Sequence, residues 1–345
     1  MPYIVVDTDH DVRLSYIDSG IPAENASGTP YLTMIAINGM AFTGNVFEPM
    51  MAVAKNAGVR FVAINRRDYP GSSALTTEDM RILSSGTDED KDAFLSARGV
   101  EVASFIDRLI EQDRLPPPVG QHGGIALIGW SLGCAFALSA LANFEILPSI
   151  SRSRFATYLR GVILYEPPTV AIGCPRPLQL WTPHIDTTIP EKERGSATVL
   201  WLSAYFEHGD LSSRDPEILT YCVPSFSRAP TLFNMSEDEQ KRVVSLGVGD
   251  KSDALFMFFS EAQIQATYRK ACFDKDVRGK LPHVKITNIM AAQTISHGIP
   301  AFWAMQHDDE EHGGGFVNFK VLPKGNHFMQ WDEPELFFEA CMESL

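Results

Sequence analysis

Short apolar runs alternate along the chain with longer segments in which apolar residues recur at helical spacing. Runs rich in Val, Ile, Leu and Phe between turn-forming residues are typical of strands, and nearly all-apolar runs fit strands buried on both faces. This pattern predicts eight strands, at 3–7, 12–17, 31–37, 59–64, 125–128, 161–165, 284–290 and 316–322. It predicts helices at 46–56, 93–113, 132–143, 299–306 and 334–344. Alternating strands and helices favour an α/β protein, with a mostly parallel sheet and helices on both of its faces.

One long interval, residues 167–282, lacks this alternation. It carries only helical patterns, at 191–208, 215–221, 236–246 and 252–273, and aromatic residues are frequent in it. We therefore expect a helical cap inserted after the sixth strand. The predicted domains are a first part of the core at 1–167, a cap at 168–283, and a second part of the core at 284–345.

Composition narrows the range of partners and sites. The 345 residues are 45 % apolar, which fits a globular core, and the net charge of −14 disfavours nucleic acid or an anionic membrane as a partner. No apolar run is long enough for a membrane span, and the N-terminus lacks the basic and apolar segments of a secretory signal. The five cysteines are scattered, so we expect reduced thiols, a cytoplasmic location and no metal site or cofactor. The acidic runs at 88–92 and 307–312 are predicted to be solvated loops, and the oligomeric state, with a homodimer as one alternative, stays open.

The stretch Gly-Trp-Ser-Leu-Gly at 129–133 joins the apolar strand at 125–128 to the apolar helix at 132–143. A serine on a tight strand-to-helix turn has an exposed Oγ beside a helix N-terminus, and small neighbours let the strand and the helix approach closely. The alternative is a Gly-Ser turn that only begins a helix. The two apolar flanks favour the interpretation that Ser131 is a nucleophile.

With this motif in this order of strands, the chain resembles the α/β-hydrolase family over nearly its whole length. The resemblance implies that family's fold, with a cap after the sixth strand and the order serine, acid, histidine along the chain. It implies that His327, between the last strand and the last helix, is the base, and that Glu166, at the end of the sixth strand, is the acid. Many relatives carry the acid after the seventh strand, but residues 288–303 contain no Asp or Glu. Asp308 and Asp309 are the alternative acids.

The resemblance also implies an oxyanion hole made of two backbone N–H groups. One belongs to Leu132, directly after the serine, and the other to Met40, in the loop after the third strand. Relatives usually have His-Gly in that loop, where this chain has Asn-Gly. Further residues predicted to contact the substrate are Asn38, Gly39, Trp130 and Trp181.

A serine at this place favours acyl chemistry, because relatives that act on epoxides or haloalkanes carry a carboxylate there. The aromatic cap predicts a small, largely apolar or aromatic substrate. The sequence therefore predicts a serine hydrolase that cleaves an ester or lactone bond without a metal or cofactor. Thioester cleavage, acyl transfer, cyclisation and C–C hydrolysis with the same three residues are open alternatives, as is a homologue that binds a ligand without turnover.

Overall fold

The computed structural model describes residues 1–23 and 30–345, which form one eight-stranded sheet with helices around it. The strands are β1 Tyr3–Asp7, β2 Val12–Asp18, β3 Thr33–Ile37, β4 Arg60–Ile64, β5 Ile125–Trp130, β6 Leu159–Tyr165, β7 Lys285–Ala291 and β8 Asn318–Leu322. Their order across the sheet is β1-β2-β4-β3-β5-β6-β7-β8. The pairs β1–β2 and β2–β4 are antiparallel, and all other pairs are parallel. The predicted α/β fold with its mostly parallel sheet is confirmed.

The centre of the sheet is its most apolar part. Every residue of β3, β4 and β5 is buried, as expected for strands covered on both faces. Two large clusters of buried apolar side chains lie against the sheet, and these include residues of the helices. The carboxyl ends of the parallel strands therefore stand on a rigid support, which is where an α/β protein builds its site.

The helices are α1 Glu48–Asn56, α2 Thr77–Ser85, α3 Asp88–Asp113, α4 Gly133–Asn143, α5 Ser149–Tyr158, α6 Thr169–Ile172, α7 Glu191–Leu202, α8 Glu237–Val243, α9 Leu246–Val248, α10 Ala254–Phe259, α11 Glu261–Phe273, α12 Lys275–Lys280, α13 Gly298–Glu311, α14 Met329–Asp332 and α15 Pro334–Glu343. Within the described residues, none of them is long and apolar enough to cross a lipid bilayer.

The two acidic runs are helical, so the prediction that they are loops was wrong. The first one opens α3, where Thr87 and Asp90 form a capping box and the acidic side chains lie at the positive end of the helix dipole. The second run forms the last turns of α13. There the carboxylate of Asp309 accepts hydrogen bonds from the backbone N–H groups of the loop that follows, which stabilises the helix end.

The interval between β6 and β7 contains α6 to α12 and, among the described residues, no strand of the sheet. Its last long helix, α11, packs against α3 and α4, and its Ile264 and Tyr268 belong to the main apolar cluster on that face. The interval therefore contributes to the core on that face of the sheet. Its division at 168–283 into a separate cap stays a prediction.

Candidate active site

Ser131 occupies a strained turn between β5 and α4. Its φ is +54°, a left-handed backbone conformation that non-glycine residues rarely adopt. The turn is held by the Ser131 N–H, which donates to the Tyr165 carbonyl at the end of β6 with an N···O distance of 2.9 Å. The serine is thereby raised at the carboxyl end of the sheet, next to the first turn of α4.

Close packing explains the two glycines that flank this serine. A Cβ at Gly129 would lie 2.6 Å from Cα of Cys134, and a Cβ at Gly133 would lie 2.4 Å from the carbonyl oxygen of Ile37. Both separations are far below van der Waals contact, and the atoms met belong to backbone. The motif therefore reflects how closely β3, β5 and α4 approach one another.

His327 and Glu166 form a buried pair beside the turn. The Nδ1 atom of His327 lies 2.6 Å from Oε2 of Glu166, and the two residues are only 2 % and 1 % exposed. Glu166 follows β6 directly with a φ of +50°, and its N–H donates to the Ile289 carbonyl of β7. The strand order thus brings together residues that are 161 positions apart in the chain.

Both oxygens of the Glu166 carboxylate accept hydrogen bonds. Its Oε1 accepts from the Ala291 N–H at 2.7 Å, and its Oε2 accepts from the Thr294 hydroxyl as well as from His327. Because an ionised carboxylate only accepts hydrogen bonds, we assign the Nδ1 proton to His327. Nε2 of that ring is then an acceptor, as a general base requires.

The alternative acids have other partners. Asp308 accepts from the Tyr268 hydroxyl at 3.0 Å. Asp309 accepts from three backbone N–H groups at residues 315–317. Neither carboxylate contacts His327 in the described structure, so Glu166 is the acid that the geometry favours.

A cavity of about 340 Å³ lies over the turn, and both Ser131 and His327 border it. No hydrogen bond joins their side chains within the described residues, and such contacts often form only with substrate bound. The lining is mostly apolar and comes from the core and from the β6–β7 interval, with Phe42, Val170, Leu180, Trp201, Ile295 and Phe258 among its members. No Asp or Glu of the described chain lines it.

The two predicted oxyanion donors border the same cavity. Met40 and Leu132 both belong to its lining, and neither backbone N–H has an acceptor within the described residues. Gly39 allows the loop after β3 to approach Ser131, since a Cβ there would lie 3.0 Å from Cβ of Ser131. The arrangement leaves two free donors near the serine, which is what a developing oxyanion needs.

The residues predicted to contact the substrate divide into two groups. Trp130 lines the cavity, and its indole N–H donates to the His327 carbonyl at 2.9 Å. Gly39 shapes the loop without lining the cavity. Asn38 and Trp181 also lie outside the lining. Asn38 is fully buried and donates to the Phe42 carbonyl, so it stabilises its own loop, while Trp181 packs behind the wall on a second tryptophan.

Three residues of the site were missed by the sequence analysis. The hydroxyl of Thr294, three residues beyond β7, supports the carboxylate of Glu166. His297 lines the cavity, where burial lowers its pKa to about 4, and its Nε2 pairs with the Trp181 carbonyl. Arg176 lines the cavity above the ring of Phe258, at 5.3 Å from its centroid, and has no carboxylate partner in the described chain. Only the place of residues 294–297 after the seventh strand, where relatives carry an acid, hinted at a site there.

No group of three or more His, Cys, Asp or Glu side chains in the described ranges, 1–23 and 30–345, is placed to hold a metal ion. The groups that surround the cavity are a serine on a strained turn, a buried imidazole–carboxylate pair and two free backbone N–H groups.

Comparison with known proteins supports the fold. The family model described as the alpha/beta hydrolase family matches residues 34–340. No curated protein sequence matches the chain significantly. Among solved structures, the chain is similar to the thioesterase domain from the curacin biosynthetic pathway, with 14 % identity, a TM-score of 0.51 and coverage of 96 % of both chains.

Two other solved structures have different activities in their names. Epoxide hydrolase A from Mycobacterium thermoresistibile is 14 % identical, with a TM-score of 0.51 and coverage of 100 % of this chain and 98 % of that one. A bromoperoxidase from Bacillus anthracis is 14 % identical, with a TM-score of 0.50 and coverage of 96 % and 95 %. At such identities these similarities support the fold only, and the reaction has to be inferred from the residues of the site.

Proposed function

Because the chain belongs to the alpha/beta hydrolase family, we propose that it is a serine hydrolase that cleaves an ester or lactone bond through an acyl-enzyme on Ser131. The observation that carries the proposal is the buried pair of His327 and Glu166, which adjoins the same largely apolar cavity as Ser131. An imidazole whose tautomer is fixed by a carboxylate is the base that a serine hydroxyl needs in order to attack a carbonyl carbon.

In the first half of the reaction, the hydroxyl oxygen of Ser131 attacks the carbonyl carbon while its proton passes to Nε2 of His327. Glu166 stabilises the imidazolium that forms and stays ionised. The electron pair of the carbonyl bond moves onto the oxygen, which accepts hydrogen bonds from the free N–H groups at 40 and 132. Collapse of this tetrahedral species breaks the bond to the leaving oxygen, which takes the proton from Nε2.

In the second half, water replaces the alcohol. His327 takes a proton from the water as its oxygen attacks the acyl carbon, and the bond to Ser131 then breaks. The serine oxygen recovers its proton from Nε2, so the enzyme returns to its starting state. With a lactone, both product groups belong to one hydroxy acid.

The cavity supports a small, largely apolar substrate. Its volume of about 340 Å³ falls in the lower part of the range for small-molecule sites, roughly 300–1,000 Å³, and apolar side chains form most of its wall. The serine at residue 131 favours acyl chemistry over the epoxide opening named for one structural neighbour, because that reaction uses a carboxylate as the nucleophile in this family.

The test combines labelling with product analysis. A fluorophosphonate probe is expected to label the wild-type protein at residue 131 and to leave Ser131→Ala unlabelled. Ser139→Ala is the matched control, because this serine of α4 is buried and its hydroxyl donates to the Leu95 carbonyl, away from the cavity. A panel of esters and lactones, with products identified by mass spectrometry, then separates hydrolysis from acyl transfer. Labelling that persists in Ser131→Ala would refute the proposed nucleophile.

A further inference from the structure

The loop after β3 is held from behind by three buried side chains: Arg66 and Tyr69, from the loop after β4, and Asp253, from the turn before α10. We call these three residues the clamp. We propose that the clamp aims the Met40 N–H into the cavity, so that the β6–β7 interval helps to build the oxyanion hole. The clamp residues are positioning residues that do not touch the substrate. The inference rests on the proposed function, since it concerns how that oxyanion hole is formed.

The clamp holds the peptide group that joins Gly39 to Met40. The Gly39 carbonyl oxygen lies 2.9 Å from Nη2 of Arg66 and 3.0 Å from the hydroxyl of Tyr69. This carbonyl and the Met40 N–H belong to the same peptide unit, which is planar and trans, so they point in opposite directions. Holding the carbonyl on the clamp therefore turns the N–H away from it, toward the cavity that Met40 lines.

The residues on both sides of Met40 are also held by the clamp. The Ala41 N–H donates to the hydroxyl of Tyr69 at 2.8 Å, and Ala41 has a φ of +61°. On the other side, Nε of Arg66 donates to the Asn38 carbonyl at 3.0 Å. A left-handed alanine is strained, and strain of this kind persists only where surrounding contacts hold the backbone in place. The clamp supplies those contacts.

Asp253 fixes the other two members of the clamp. Its carboxylate oxygens lie 2.8 and 3.0 Å from the guanidinium nitrogens of Arg66, a two-pronged pair, and 2.5 Å from the hydroxyl of Tyr69. Burial and the charge of Asp253 raise the pKa of Tyr69 well above its ordinary value, so the hydroxyl keeps its proton. Since removing one partner of a buried ion pair leaves the other uncompensated, the three groups hold one another in a single arrangement.

Asp253 belongs to the interval between β6 and β7, and this interval contacts the same loop at two more places. The Ser245 N–H donates to the Ala41 carbonyl at 2.7 Å, and the Thr43 N–H donates to the Val243 carbonyl at 2.8 Å. Further along, α10 supplies Phe258 to the wall of the cavity. One segment thus contacts the oxyanion loop and also forms part of the substrate wall.

The experiment removes one hydroxyl of the clamp. Tyr69→Phe keeps the ring and the ion pair but leaves the Ala41 N–H without its acceptor. With p-nitrophenyl butyrate we expect kcat to fall about 10- to 100-fold with little change in KM, somewhat less than the loss of a whole oxyanion donor. The Ki of a trifluoromethyl ketone, whose serine adduct carries the oxyanion, should rise by the same factor. The Ki of the matching methyl ketone, which binds without forming that adduct, should stay unchanged.

Tyr268→Phe is the matched control. Its hydroxyl is also buried and also donates to a carboxylate, that of Asp308, but it lies outside the cavity. A loss of thermal stability without a change in kcat is expected there. Asp253→Asn, which keeps the side-chain shape, is the second clamp variant and should show the same split between the two ketones.

The outcomes separate the two proposals. If the wild-type protein is not labelled by a fluorophosphonate, the proposed function fails, and the inference fails with it. If the wild-type protein is labelled and both clamp variants, folded by circular dichroism, keep wild-type kcat and wild-type affinity for the trifluoromethyl ketone, the clamp has only a structural role. A parallel loss of affinity for both ketones would also overturn the inference, because it would indicate a damaged cavity instead of a misdirected N–H.

Discussion

Replacing Glu166 with Gln tests how the base is oriented, because the change removes a charge and leaves the size of the side chain almost unaltered. The carboxylate accepts three hydrogen bonds, from the Ala291 N–H, the Thr294 hydroxyl and the Nδ1–H of His327. An amide has one oxygen and one NH₂ group, so it cannot accept on both sides. The consequence depends on which way the amide turns.

If the amide oxygen stays with the Ala291 N–H, its NH₂ group faces His327 and donates to Nδ1. The imidazole proton then moves to Nε2, and the ring no longer accepts the serine proton. If the amide turns round, its oxygen faces His327 correctly, but its NH₂ group meets the Ala291 N–H, and an unsatisfied buried donor costs about 1–3 kcal/mol. That energy corresponds to about a 5- to 150-fold depletion of the productive form.

The remaining productive fraction also lacks the negative charge that stabilises the imidazolium. In a serine protease with the same three roles, replacing the buried carboxylate by an amide lowers kcat by about 10⁴. We therefore expect kcat for p-nitrophenyl butyrate to fall by about 10³- to 10⁴-fold in Glu166→Gln, with a much smaller change in KM.

The assay is steady-state hydrolysis together with the rate of fluorophosphonate labelling, which reports the attack by Ser131 alone. Thr294→Val is the matched control, since it removes one donor to the same carboxylate while the charge and the tautomer of His327 remain; we expect a fall of at most about tenfold, the worth of one charge-assisted hydrogen bond. A Glu166→Gln variant that is folded and keeps kcat within about threefold of wild type would refute the assignment of the acid.

Three further predictions concern packing, proton binding and selectivity. Gly133→Ala should lower stability by about 1–3 kcal/mol or more, because its Cβ would meet the Ile37 carbonyl, whereas Gly247→Ala, with open space around it, should leave the melting temperature nearly unchanged. Burial lowers the pKa of His297 from 6.5 to about 4, so unfolding takes up a proton between pH 6.5 and 4. The free energy of unfolding of the wild-type protein, measured with urea, should therefore fall as the pH drops from 6.5 toward 4. An equal fall in His297→Asn would contradict this. Arg176→Gln should lower kcat/KM for p-nitrophenyl hemisuccinate, which carries a carboxylate, about tenfold more than for the neutral butyrate. Equal losses for the two esters would show that Arg176 does not bind the carboxylate of the substrate.

The sheet could be predicted because its strands are short apolar runs between turn residues, and all eight lie where this pattern placed them. The turn that carries Ser131 could also be located, since the glycines at 129 and 133 are required by contacts within the same turn or with the adjacent strand. The start of α3 was missed although Thr87 and Asp90 carry the spacing of a capping box. Such a run of charges is exposed to solvent in a loop and in a helix alike, and here its local role is to complete a helix N-terminus.

The candidate site was predicted less completely because its supports come from far along the chain. The pairing of Glu166 with His327 follows from strand order, but the catalytic roles of these residues stay predictions. Arg66 and Asp253 are 187 positions apart, and no local periodicity relates them. A buried arginine in one loop and a buried aspartate before a helix become meaningful only when their distance is known.

The carboxylate of Glu166, at the end of β6, accepts a hydrogen bond from the backbone of β7. This has a consequence for how the substrate preference of the protein can change. The loop after β7 therefore does not have to supply the carboxylate that pairs with His327, and two of its residues, Ile295 and His297, line the cavity. Substitutions in this loop can therefore change which substrates fit the cavity, while Glu166, at the end of the neighbouring strand, still holds the imidazole of His327. A library randomised at these two sites would sample new substrates without risking the chemistry itself.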